Sequence, residues 1–209
     1  MILLLKSLFD VVQDVQAEHE QGHLPYQIET IRKAILRSVG AERMEIIEFD
    51  SPENPVLGKF VRYEMAPAPY ALPETKIDIF YSQELNHCWR RFVVCKEMCH
   101  ALENDEEMRV HTIDDLDRLI QALTLPSGAS ETLASFPPFS AEKFAEFAAL
   151  ELLCPLRDRR ALIRNGGRDT MSDLQIATLF RVPVQFIDLL FDPKYMAAVE
   201  STFTLVRKG

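Results

Sequence analysis

The chain has 209 residues, 47% of them hydrophobic and 26% charged, which is enough apolar material for a sizeable core and argues against global disorder. Thirty-two acids against 23 lysines and arginines leave a net charge of −9, which disfavours non-specific binding to nucleic acid or an anionic membrane. The N-terminal MILLL meets Lys6 and Asp10 at once and has no small-residue cleavage site, so it is too short for an export signal or a membrane span, and the expected compartment is the cytoplasm.

From Leu3 to about Gln21 the apolar residues Leu4, Leu5, Leu8, Val11, Val12 and Val15 recur at helical spacing, and Gly22 and Pro25 would end the helix. Within this region HEQGH, residues 19–23, matches H-E-x-x-H letter for letter. Its context disagrees: the glycine and proline break helical geometry at His23 and no apolar wall surrounds the histidines, so the match is incidental. A second helix fits Tyr26 to Val39, with Gly40 as its stop. The period then changes. Residues 45–49, 60–64 and 76–81 are short, rich in β-branched and aromatic residues, and separated by Pro- and Gly-containing loops, which predicts a small antiparallel sheet.

After Ser82 the pattern is almost wholly helical, with helices over Trp89–Leu102 and His111–Leu123. A long one follows through Leu153, with Ser140 as its N-cap and Pro155 as its stop. Two short helices, Ser172–Phe180 and Pro183–Phe191, resemble a helix-turn-helix in outline, with Ala177, Leu179, Val182 and Ile187 as its core. Six arginines between Arg157 and Arg181 read as a solvated face rather than a DNA-facing one, given the acidic whole. The four cysteines, Cys88, Cys95, Cys99 and Cys154, form no CxxC pair, and Cys95 and Cys99 read as reduced core residues inside an apolar run.

RRFVVCKEMCHALE, residues 90–103, carries the most chemistry. A zinc hydrolase helix places two histidines at i and i+4 on one face, with a glutamate after the first to take a proton from the metal-bound water. Here Glu97 and His100 are in place, but Lys96 stands at the first histidine's position. An ammonium has no lone pair to give a metal until it loses a proton, so Lys96 is expected to occupy the ion's space as a fixed cation among carboxylates. Without any site, the same residues also make an amphipathic helix whose polar or half-buried face is Lys96, Glu97, His100 and Glu103.

KIDIFYSQELNHCWRRFVVCKEMCHAL (76–102) resembles the strand and R-x-F-x-x-A-H-E-x-x-H helix of ImmA/IrrE-type zinc metallopeptidases. EKFAEFAALELLCP (142–155) is similar to that family's E-x-x-A-N-x-F-A-x-E-L-L-x-P segment, and TMSDLQIATLFRVPVQFIDLLF to the element after it. The resemblance implies Glu97 as general base and His100 and Glu142 as zinc ligands, with Glu146 at the family's asparagine. Lys96 removes one ligand of three, so the family's activity does not transfer by default. Glu142 has a structural reading too, as an acid in the first turn after Ser140. If the folds match, Glu142 approaches His100 and Lys96, and an ion pair with Lys96 is expected.

The fold expected is α+β: a mainly helical metallopeptidase-like domain with a small antiparallel sheet (1–156), and a helical, helix-turn-helix-like C-terminal subdomain (157–209). The function the resemblance implies is a regulatory relative without normal zinc-dependent catalysis, which holds no cofactor. It would engage a protein partner such as a transcriptional repressor in stress or phage/mobile-element control. The alternative is an active zinc endopeptidase with Glu97 as base and zinc on His100 and Glu142. A DNA-binding regulator is a distant third.

Overall fold

A computed structural model describes residues 2–19, 24–50, 56–103 and 137–208. Helix α1, Ile2–Glu18, buries Leu8, Val11, Val12 and Val15. Helix α2, Ile28–Val39, buries Ile31, Ala34 and Ile35 and ends at Gly40, whose φ of 63° lies in the left-handed region that suits glycine.

Three strands follow: β1 (Arg43–Phe49), β2 (Gly58–Met65) and β3 (Glu74–Ser82). Their order is β1-β3-β2, so the sheet is mixed rather than antiparallel as expected. β2 pairs antiparallel with β3, with Phe60 opposite Ile79, whereas β1 runs parallel to β3, with Ile46 opposite the same Ile79. Chain direction still alternates from strand to strand. The third strand, however, inserts between the first two and therefore meets β1 in parallel. Burial explains the insertion: β3 carries Ile77 and Ile79, both wholly buried, and the strand with most to bury takes the centre.

Helix α3, His87–Cys99, is capped by the Asn86 side chain, which accepts the Trp89 N–H at 3.1 Å. It tightens into a 3₁₀ turn at His100–Leu102, so the regular helix ends one turn earlier than its apolar pattern suggests. Phe92, Val93, Val94, Cys95, Met98 and Cys99 are all buried, because α3 is covered by the sheet and by helix α4, Pro137–Leu153. All four cysteines are free thiols.

Ser140 is not the N-cap of α4, because the helix starts three residues earlier, at Pro137. The helix opens on two consecutive prolines, which a first turn tolerates because it needs no N–H donors. The expected helix at 111–123 lies outside the described residues.

Beyond Pro155 come α5 (Leu156–Arg164), α6 (Gly167–Thr170) and α7 (Asp173–Phe180). Ser172 and Gln175 cap α7 reciprocally. The single helix expected over 183–191 is instead a 3₁₀ turn, Val184–Phe186, and a short helix α8, Ile187–Leu190. Ala177, Val182 and Ile187 are buried and Leu179 half-buried, as a packing role requires.

A final helix, α9 (Pro193–Lys208), went unread in the sequence. Its signal was there: the Asp192 carboxylate accepts the Lys194 and Tyr195 N–H groups, both at 2.8 Å, and Pro193 opens the first turn. Helix α9 lies beside α1, with the Phe9 and Phe203 rings 5.4 Å apart. One continuous cluster of buried residues runs from Leu8 to Phe191, across both sides of residue 156.

The arginine run is not simply a solvated face. Arg159 is wholly buried: its guanidinium donates to the Leu190 carbonyl at 2.6 Å and, through a very short contact, to the equally buried Glu151. A charge can be buried this way only with a partner, and here a carboxylate and a free carbonyl supply it. No described helix is long and apolar enough to cross a membrane.

Candidate functional site

The last turn of α3, the 3₁₀ turn after it and the early part of α4 bring Lys96, Glu97, His100 and Glu142 together. The expected ion pair is present: Lys96 Nζ lies 2.5 Å from Glu142 Oε2, and 3.2 Å from Glu97 Oε1. The other Glu142 oxygen, Oε1, is 3.3 Å from His100 Nε2. On its far side, His100 Nδ1 stands 3.6 Å from Glu103 Oε2. The result is a chain of alternating charge: Glu97, Lys96, Glu142, His100, Glu103.

With α4 starting at Pro137, Glu142 is past the first helical turn, so attraction to the helix N-terminus does not account for it. Its partners do.

Two features of this site were not legible beforehand. Glu103 was read only as part of a polar face, yet it is buried with one carboxylate oxygen unpaired among the described residues. Its signal was the i, i+3 spacing from His100. The second is Gly58 on β2. A methyl group there would lie 2.5 Å from Val93 Cγ1 and 2.8 Å from Glu97 Cγ, so the position admits no side chain and the strand rests directly on Glu97. Phe60, two residues along β2, lies 6.2 Å from the His100 ring and walls it.

The other candidates lie elsewhere. Glu146, at the position of the family's asparagine, pairs with Lys143 at 3.7 Å. His19, the first letter of HEQGH, follows the end of α1 and stacks on Tyr26 at 4.2 Å; Glu20 and His23 lie outside the described residues. Cys95 and Cys99 face the core, and Cys95 Sγ approaches the Ala149 carbonyl at 3.9 Å.

The electrostatics follow from the contacts. Burial works against the Lys96 ammonium, but the Glu97 and Glu142 carboxylates outweigh it and raise its pKa above the ordinary lysine value. Burial likewise opposes a charged His100, yet Glu103 and Glu142 lift it from 6.5 to about 9. Burial pushes the Glu142 carboxyl up; His100 and Lys96 more than reverse this and hold it at about 2. Glu142 and its two cations, Lys96 and His100, stabilise each other's charged forms.

These residues do not fit a catalytic zinc ion as they stand. Such an ion takes three protein ligands with free lone pairs. Lys96 offers an ammonium, His100 is charged below pH about 9 with both nitrogens protonated, and both Glu142 oxygens are engaged. Among the described residues no group of three or more His, Cys, Asp and Glu is arranged to hold a metal.

The pH dependence of stability follows. A raised His100 contributes fully below about 6.5 and loses its contribution as pH rises through about 9. A depressed Glu142 contributes fully above 4.5 and fades as pH falls towards about 2. Urea unfolding across this range is expected to show the cluster's contribution at its greatest between 4.5 and 6.5, with the alkaline decline flattened in His100→Gln. An unchanged alkaline slope in that variant would place the titration elsewhere.

The fold and cluster define a mainly helical α+β chain with a largely buried set of alternating charges beneath the edge of a mixed sheet. In the comparisons with known proteins, no family model, no curated protein and no solved structure matches this chain.

Proposed function

We propose that this chain is a metallopeptidase-like regulatory protein that works without normal zinc-dependent catalysis and recognises a protein partner, such as a transcriptional repressor in stress or phage/mobile-element control. One observation carries the first half of the reading: the Lys96 ammonium sits 2.5 Å from Glu142 and 3.2 Å from Glu97, and the resemblance assigns those two carboxylates to a zinc ligand and a general base. A fixed monovalent cation there supplies part of the positive charge a divalent ion would otherwise supply. It cannot polarise water in the same way, because it offers no open coordination position. The second half rests on the resemblance alone, over residues 76–102 and 142–155 and the helices that follow.

Zinc content tests the reading. The protein purified without added metal is expected to carry no stoichiometric zinc by elemental analysis. Lys96→His, which restores the missing lone pair, is expected to gain about one equivalent. Stoichiometric zinc in the parent chain, lost on changing His100 or Glu142, would overturn the reading in favour of an active endopeptidase.

A further inference from the structure

Away from the charge cluster, and sharing no residue with it, a cleft of about 490 Å³ opens between α1, α5 and α9. We propose that this cleft binds a small molecule carrying two or more linked phosphates. Four guanidiniums line it, Arg157, Arg160, Arg164 and Arg207, against one carboxylate, Glu200. Such a concentration of positive charge is unusual in a chain of net charge −9, and its placement is systematic. Arg157, Arg160 and Arg164 fall at i, i+3 and i+7 on one face of α5, and Arg207 reaches in from α9.

The arginines divide into two kinds. Arg160 is fixed by both Glu200 oxygens, at 2.7 and 2.5 Å, and Arg157 by the Tyr26 hydroxyl at 2.6 Å and Asp158 at 3.1 Å. These two are set in place and partly neutralised. Arg164 and Arg207 have no carboxylate within ion-pairing distance among the described residues. Arg207 instead lies over the Phe9 ring at 5.0 Å, and Phe9 and Phe203 give the cleft apolar walls.

Two uncompensated guanidiniums on different helices, facing one concavity, suit an anion with more than one charged centre. The planar fork of each matches a phosphate's oxygens in pairs. The volume falls in the range of small-ligand sites rather than of extended surfaces. A long nucleic acid is disfavoured, since the acidic remainder of the chain would repel it.

Calorimetric titration of the full chain with inorganic triphosphate, and separately with pyrophosphate, at near-physiological ionic strength tests the proposal. Saturable one-site binding is expected, weakened at least about tenfold in Arg164→Gln/Arg207→Gln. Arg37→Gln/Arg43→Gln removes the same charge from exposed positions outside the cleft and is expected to bind within about twofold of the parent. Should the first pair fail to fold, Arg164→Gln alone, at the exposed end of α5, gives the same reading. Absence of saturable binding, an equal loss in both double variants, full competition by equimolar sulfate, or binding to duplex DNA with none to the oligophosphates would each overturn it.

Discussion

Lys96→Met is expected to lower the free energy of unfolding by about 3 kcal/mol at neutral pH, towards the lower end of what breaking a buried ion pair costs. The side chain is four-fifths buried, and methionine fills most of its volume, so little of the loss is a cavity effect. What changes is charge. Glu97, 7% exposed and pressed against β2 at Gly58, loses its cation, and Glu142 keeps only His100. Because His100 remains protonated up to about 9, the residual pairing persists at neutral pH, and the penalty is expected to grow as pH rises past that point. Lys96→Met/Glu142→Leu removes one acid as well and should recover part of the loss. Urea denaturation of the parent and both variants measures this; a single variant as stable as the parent would refute the fixed-cation account.

Arg159→Met carries the largest expected effect, at least about 3–5 kcal/mol, enough to threaten folding of a domain of ordinary stability. Both Arg159 and Glu151 have no exposed side-chain surface, so solvent cannot compensate a stranded partner. The variant also takes a donor from the Leu190 carbonyl and a cation from the face of the Tyr195 ring, 5.6 Å away. Burial already pushes the Glu151 carboxyl up against the pull of Arg159, so the lone acid is expected to bind a proton rather than remain charged. Arg159→Met/Glu151→Leu should be markedly more stable than the single variant, since an apolar pair can replace a buried ionic one. The Leu156 N–H, which Glu151 accepts at 3.3 Å, would still be left without its acceptor, so full recovery is not expected. Thermal melting of the three proteins decides the matter. A single variant that melts with the parent would mean that the pair contributes nothing.

What the sequence disclosed was governed by period. Ile31 and Ile35 on α2, Val93 to Cys99 on α3 and the alternation in the strands are repeats of 3.6 and 2, and each produced its element within a few residues. Neighbour relations carry no such repeat. Nothing in the letters of the three strands says which of them lies in the middle, and the sheet read as antiparallel is mixed because β3 sits between the other two. Two helices open on a proline, at Pro137 and Pro193; the first start was set three residues late, at Ser140, and the second helix went unread.

In the candidate site, the i, i+4 relation of Lys96 and His100 was visible, and the second segment's resemblance brought in Glu142. Glu103 and Gly58 were not visible as site residues. Their roles depend on burial and close approach, which a one-dimensional pattern does not record. Arg159 hid among its neighbours in the same way, because a buried charge and a solvated one are spelled alike.

The two outer strands of the sheet are not paired with each other. Every backbone bond that ties the segment around Glu97's cover, Gly58, to the part of the sheet behind α2 must therefore pass through β3. That strand is a keystone: were it to slip by one residue, its inward isoleucines would turn outward, and both flanks would lose their registration in the same event.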